Sequence, residues 1–139
     1  MSQSASLRSP NRLEPHRAPA VLVVEDEENL RVVIRRLLEG EGYRVLEAGN
    51  GASALEVLEK SDHDIGLVLT DLRMPVMDGR QLAAALARKY PTLPIVFMSG
   101  FTAQLMDMRL VCPHLPFLAK PFRNDDLVAT IKGQLEGRV

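Results

Sequence analysis

The sequence has one cysteine, no long apolar run and almost no net charge, and each shortage argues against a class of protein. Cys112 alone forms neither an internal disulfide nor a cysteine-rich zinc site. No apolar stretch resembles a signal peptide or spans a bilayer, so we expect a cytoplasmic protein without membrane insertion. A formal net charge of -1 provides no broad basic surface, which argues against direct nucleic-acid binding.

The 139 residues are 46% hydrophobic and 25% charged, a length and composition typical of one globular domain. Residues 1–19 differ, because they contain four serines, three prolines and few large apolar side chains, which predicts a disordered leader or linker. Three arginines and one glutamate give that segment a charge of +2, which leaves -3 for the remainder. We expect the folded domain to span residues 20–137.

From residue 20 onward, short apolar runs alternate with stretches of helical periodicity. Strands are predicted over residues 21–24, 43–48, 65–70, 94–98 and 117–119. A helix is predicted after each strand, and the fourth covers about residues 102–110. Helix starts are predicted from the capping residues Asn50, Asp78 and Asn124, and Gly40 is expected to supply a left-handed residue at the end of the first helix. Five strands alternating with five helices predict an α/β fold with a doubly wound parallel sheet.

Polar residues follow four of the predicted strands. Glu25 and Asp26 follow the first strand, Asp71 the third, Ser99 the fourth and Lys120 the fifth. Ligands of doubly wound sheets bind beyond the carboxyl ends of the strands, so we expect these side chains to converge. Each has a simpler interpretation, such as a helix-terminal charge, a turn or a surface lysine. Their placement at four separate strand ends favours a common site.

The chemistry of these side chains suits phosphoryl transfer. Carboxylates held close together repel unless a cation joins them, and hard oxygen ligands suit Mg²⁺, with Mn²⁺ as a substitute. A carboxylate beside such a metal, with a lysine and a hydroxyl nearby, has the groups needed to accept a phosphoryl group. Asp71 is the expected nucleophile because it stands alone at its strand end, whereas Glu25 and Asp26 form a metal-holding pair.

Four motifs closely resemble those of the receiver domains of bacterial two-component response regulators. They are VLVVEDEE at 21–28, LTDLRMPVMDG at 69–79, FMSG at 97–100 and FLAKPF at 117–122. The resemblance covers about residues 20–137, and it implies a flavodoxin-like sheet of order 2-1-3-4-5. It also implies that Asp71 accepts phosphate from a histidine kinase or a histidine phosphotransfer protein. Asp26, Asp71 and the backbone carbonyl of Arg73 would then ligate Mg²⁺, while Glu25 would act through water.

The resemblance assigns the remaining site residues as well. Lys120 would contact the phosphoryl group, Ser99 would be the switch hydroxyl and Phe117 the switch aromatic residue. The peptide bond before Pro121 would be cis. The protein would be a phosphoacceptor signalling domain that catalyses only its own phosphorylation and dephosphorylation.

Two positions differ from the common family pattern, and two others lie where the family varies the rate of phosphate loss. Glu25 stands where receivers commonly have aspartate, and Phe117 where they often have tyrosine. Arg73 and Phe101 stand where the family tunes the loss of phosphate. We expect their bulk to restrict attacking water and to prolong the phosphorylated state.

In the receiver interpretation, phosphorylation changes a face built from the fourth helix, the fifth strand and the fifth helix. That face would dock a downstream protein, and a second copy of the chain, docking after phosphorylation, is a further expected partner. The sequence leaves open whether the domain stands alone or belongs to a hybrid kinase. It also leaves two other functions open: a phosphate-independent pseudo-receiver and an Mg²⁺-dependent phosphohydrolase. Arg73 argues against the phosphohydrolase, which usually has a second aspartate at that position.

Overall fold

Five parallel strands form the centre of the protein. The computed structural model describes residues 19–61, 64–100 and 116–136. The strand order is β2-β1-β3-β4-β5, so the predicted flavodoxin-like fold class is confirmed. The strands are β1 Ala20–Val24, β2 Val45–Ala48, β3 Ile65–Asp71, β4 Ile95–Ser99 and β5 Phe117–Ala119.

Four helices lie within the described residues, and they are α1 Glu28–Gly40, α2 Gly51–Lys60, α3 Gly79–Lys89 and α4 Asn124–Glu136. The helix predicted over residues 102–110 falls outside the described residues, so α4 is the fifth predicted helix. Two predicted caps are confirmed. The side chain of Asn50 accepts from the Ser53 N–H, and Asp78 forms a reciprocal capping box with Gln81.

Two predictions about helix ends are wrong. Gly40 is the last residue of α1, and the positive φ of 95° belongs to Gly42, because the chain makes a further turn after the helix. The Tyr43 N–H donates to the Leu38 carbonyl in this turn, so β2 begins two residues later than predicted. Asn124 is the first residue of α4 rather than the residue before it.

The sheet separates two apolar cores. Alternate residues of β1 point to opposite faces, and all five are fully buried, as expected for a central parallel strand. One core contains Val21 and Val23 with residues of α1 and α4, and the other contains Leu22 and Val24 with residues of α2 and α3. The parallel direction of β1, β3, β4 and β5 brings their carboxyl ends to one edge, where the polar residues of the site lie. No helix of the described segments is both long enough and apolar enough to cross a membrane.

Candidate functional site

Three carboxylates converge at the carboxyl edge of the sheet. Glu25 directly follows β1, Asp26 is next in the chain, and Asp71 ends β3. One carboxylate oxygen from each lies within 4.8 Å of the others. Glu25 and Asp71 are buried, whereas Asp26 is exposed. Oxygen donors at this spacing, with one side open to water, fit a hard divalent cation such as Mg²⁺.

Lys120 bridges two of these carboxylates. Its Nζ lies 2.8 Å from Glu25 Oε1 and 3.0 Å from Asp71 Oδ2. The residue directly follows β5, and its peptide bond to Pro121 is cis, the form that the resemblance implies. The ammonium group therefore offsets the repulsion between Glu25 and Asp71.

Burial and pairing shift the pKa values of Glu25 and Lys120. Burial raises the pKa of Glu25, against the opposing effects of the Lys120 hydrogen bond and the Glu27 N–H, while the charge of Asp71 raises it further. For Lys120, burial alone would lower the pKa, but the hydrogen bonds to Glu25 and Asp71 outweigh burial and the net pKa is raised. The lysine is therefore protonated at neutral pH and Glu25 binds protons more readily than an exposed glutamate.

The main chain around Glu25 is held by groups that the sequence patterns did not predict. The Arg31 guanidinium, on α1, donates to the Glu25 carbonyl oxygen at 2.8 Å and to Glu47 Oε1 at 2.9 Å. The Glu25 N–H donates to the carbonyl of Ala48 at the end of β2. The sequence carries no signal for this arrangement, because the helical pattern of α1 places Arg31 at a position typical of a surface residue.

The end of β3 is fixed in a similar way. The hydroxyl of Thr70, which is fully buried, donates to the Asp71 carbonyl at 3.0 Å. The Gly79 N–H donates to the Leu72 carbonyl, and a Cβ on Gly79 would overlap the Asp71 carbonyl oxygen. The start of α3 therefore packs directly against the backbone of Asp71, and this close approach requires the glycine of the Asp-Gly pair.

These features occur in a chain whose residues 21–132 match the family model described as the response regulator receiver domain. The chain belongs to that family. Such receiver domains are signalling modules of bacterial two-component systems rather than classical enzymes, and they interact with histidine kinases and downstream partners.

Two curated relatives and one solved structure show how this receiver compares with others. It is 37% identical over 117 residues to the sensor kinase CckA of Brucella abortus, covering 84% of this chain and 12% of the kinase. It is 38% identical over 116 residues to the response regulator receiver protein CpdR of the same organism, covering 83% of this chain and 95% of CpdR. The structure of TrrA from Thermotoga maritima, in complex with Mg²⁺-BeF, aligns with a TM-score of 0.74 at 27% identity and covers 84% of this chain and 99% of TrrA.

In this receiver, the predicted switch residues lie on the neighbouring strands β4 and β5. Ser99 ends β4, is 1% exposed and lies beside Ala119 in the strand register. The Lys120 N–H donates to the Ser99 carbonyl at 2.9 Å. Phe117 packs on Phe97 with ring centroids 5.7 Å apart.

Two predicted tuning residues flank the receiver site in the sequence. Arg73 lies two residues after Asp71 and is exposed. Phe101 falls outside the described residues, as does Cys112. The structure therefore brings together Glu25, Asp26, Asp71 and Lys120, with Ser99 at the adjacent strand end.

Proposed function

We propose that this receiver accepts a phosphoryl group on Asp71 from the phosphohistidine of a histidine kinase or a histidine phosphotransfer protein. The observation that carries the proposal is the 3.0 Å contact between Asp71 Oδ2 and Lys120 Nζ, within a cluster that also contains Glu25 and Asp26. An Asp71 carboxylate oxygen forms the bond to phosphorus as the bond between phosphorus and the donor nitrogen breaks. The imidazole of the donor is the leaving group.

The donor set fits Mg²⁺, and Mn²⁺ as its substitute. Asp26 and Asp71 would hold the ion together with the backbone carbonyl of Arg73, and Glu25 would act through water. When bound, the metal supplies positive charge that stabilises the phosphoryl oxygens. The structural relative TrrA was crystallised in complex with Mg²⁺-BeF, which supports the same assignment for this chain.

Side chains of the protein provide the other contacts to the phosphoryl group. Lys120 loses one carboxylate partner when Asp71 is phosphorylated, and its ammonium then pairs with a phosphoryl oxygen. Ser99 donates its hydroxyl to another phosphoryl oxygen. Because Glu25 keeps its hydrogen bond to Lys120, the lysine remains aimed at the reacting oxygen.

Phosphorylation changes the shape of one face of the protein. Ser99 moves toward the phosphoryl group, and Phe117 moves into the vacated space, where packing alone determines its position. The affected face comprises the predicted helix over residues 102–110, β5 and α4. It docks a downstream protein, or a second copy of the chain after phosphorylation, without direct contact to nucleic acid. We place this signalling in the cytoplasm.

We further propose that Arg73 and Phe101 prolong the phosphorylated state. Their side chains would limit the approach of water to the phosphoryl group on Asp71. The lifetime is measured by following phosphate release from purified phosphoprotein. Arg73→Ala should shorten the half-life, and a half-life of seconds in the unmodified chain would contradict the proposal.

The central experiment is incubation with a small phosphodonor and Mg²⁺, followed by intact-mass spectrometry. We expect one phosphoryl adduct in the unmodified protein and none in Asp71→Asn. Asp78→Asn is the matched control, because it changes the aspartate that caps α3 at the end of the loop after Asp71, and it should still be phosphorylated. No adduct would indicate a phosphate-independent pseudo-receiver, and multiple turnover of unrelated phosphate esters would indicate a phosphohydrolase.

A further inference from the structure

Arg31 connects three elements around the acidic cluster. Its Nη1 donates to the Glu25 carbonyl oxygen at 2.8 Å, and its Nε donates to Glu47 Oε1 at 2.9 Å. Arg31 lies on α1, Glu47 on β2, and Glu25 directly after β1. The side chain is 18% exposed, so most of it is shielded from water. A guanidinium suits this position, because its planar fork presents two donors in a fixed geometry.

The contacts of Arg31 complete the restraint of Glu25. The Glu25 N–H is held by the Ala48 carbonyl at 3.0 Å, and its carboxylate accepts from the Glu27 N–H and from Lys120. Arg31 holds the remaining polar group of the residue, the carbonyl oxygen. That carbonyl is part of the peptide group between Glu25 and Asp26, so the orientation of this peptide group depends on the hydrogen bond from Arg31.

Arg31 acts through geometry more than through charge. Glu47 pairs with its guanidinium and also lies 2.7 Å from Arg35 Nε through its other carboxylate oxygen. The carboxylate of Glu47 therefore offsets part of the positive charge of Arg31. Arg35 shares the same acidic partner and the same helix, and its guanidinium also pairs with Glu39 at 3.2 Å.

We propose that Arg31 is a positioning residue. Anchored by Glu47, it fixes the main chain between Glu25 and Asp26, so that their carboxylates face Asp71 at the spacing that binds a divalent cation. The proposal rests on the proposed function, because it assumes that these carboxylates hold Mg²⁺. Residues that orient metal ligands through hydrogen bonds typically change metal affinity when they are mutated.

The test compares Arg31→Met with Arg35→Met. Both variants remove one arginine from α1 and one ionic contact from Glu47, but only Arg31→Met removes the hydrogen bond to the Glu25 carbonyl. Mg²⁺ is titrated into the unmodified protein and each variant and followed by amide chemical shifts, which also show that the variant is folded. We expect Arg31→Met to weaken Mg²⁺ binding about tenfold, and Arg35→Met to change it by less than about twofold. Equal losses in the two variants, or no loss in Arg31→Met, would overturn the proposal.

If Arg31→Met does not fold, Arg31→Lys provides the test. A lysine retains the charge but has no fork to bridge Glu47 and the Glu25 carbonyl, so we expect Mg²⁺ binding to remain at least about threefold weaker. Affinity equal to that of the unmodified protein would overturn the proposal.

A kinetic measurement separates positioning from catalysis. For Arg31→Met, the Mg²⁺ concentration that gives half the maximal phosphorylation rate should rise about tenfold, while the rate at saturating Mg²⁺ stays within about twofold. A lower saturating rate with an unchanged Mg²⁺ requirement would overturn the proposal.

If the unmodified protein binds no Mg²⁺, the proposed function fails. If it binds Mg²⁺ and Arg31→Met binds equally well, only the role of Arg31 fails.

Discussion

At the scale of single residues, Glu25 is the most constrained acid of the site. It is 1% exposed, yet its carboxylate has two separate partners, Lys120 Nζ at 2.8 Å and the Glu27 N–H at 3.0 Å. A buried carboxylate retains its charge only when such partners replace the lost water. The two hydrogen bonds reduce the cost of burial but do not remove it, because the net pKa of Glu25 is still raised.

This balance predicts a pH dependence of stability. The pKa of Glu25 is raised above its ordinary value of 4.5, so the folded protein binds that proton more tightly than the unfolded chain does. The free energy of unfolding should therefore fall, relative to that of Glu25→Gln, as pH rises from about 4.5 toward neutrality. Urea unfolding at several pH values, with a chelator present, measures this difference. Glu41→Gln, at an exposed position, controls for the loss of one acid, and a difference that stays constant with pH would contradict the prediction.

At the scale of elements, the loop between β3 and α3 has an unusual backbone. Val76 has a φ of 69°, and the Met77 N–H donates to the Pro75 carbonyl at 2.7 Å across it, which is a γ-turn that β-branched residues rarely adopt. The side chain of Val76 is 80% exposed, so it gains little from packing. The turn is maintained instead by the Met77 carbonyl, which accepts from the Gly51 N–H at the start of α2.

We expect Val76→Asn to raise the free energy of unfolding by about 1 kcal/mol, because asparagine adopts positive φ at lower cost than valine. Chemical denaturation measures the change. Val33→Asn is the matched control, because Val33 is also an exposed valine but lies in the regular helix α1. No stabilisation of Val76→Asn, or an equal gain in Val33→Asn, would show that the loop is not strained at Val76.

At the scale of the whole molecule, two cores share one sheet. Val23 and Val24 are adjacent in β1, fully buried, and point into different cores. The protein also has a tyrosine beside each core: Tyr43 packs against the core that contains Val23, and Tyr90 against the core that contains Val24. Because β1 and β3 contribute residues to both cores, we expect the two faces to unfold together.

Removing methyl groups from either core should therefore destabilise the entire domain. Val23→Ala and Val24→Ala should each lower the free energy of unfolding by about 2 kcal/mol. The cooperativity is tested by the tyrosine fluorescence of Tyr43→Phe and Tyr90→Phe, each of which leaves one tyrosine as the reporter. Coincident urea transitions are expected. Separate midpoints for the two reporters would show that the cores unfold independently.

Local patterns in the sequence predicted much of the fold and of the candidate site. The apolar run over residues 21–24 of β1, the caps Asn50 and Asp78, and the alternation of strands with helices depend on neighbours close in the chain, and the structure confirms them. The errors lie at helix ends. Glycine is the residue type expected in a left-handed conformation at a helix end, which favoured Gly40. Hydrogen bonds beyond the helix instead place the positive φ at Gly42.

The sequence by itself determined the parallel sheet, the family resemblance and the set of polar residues at the strand ends, because these follow from periodicity and from motifs of adjacent residues. Only the tertiary structure decided that Lys120 bridges Glu25 and Asp71, that Arg31 holds the Glu25 carbonyl, and that the buried hydroxyl of Thr70 supports Asp71. The two carboxylate partners of Lys120 lie 95 and 49 positions away along the chain. Hydrogen bonds require contact within about 3 Å, and for distant residues such contact arises only when the sheet brings the strand ends together.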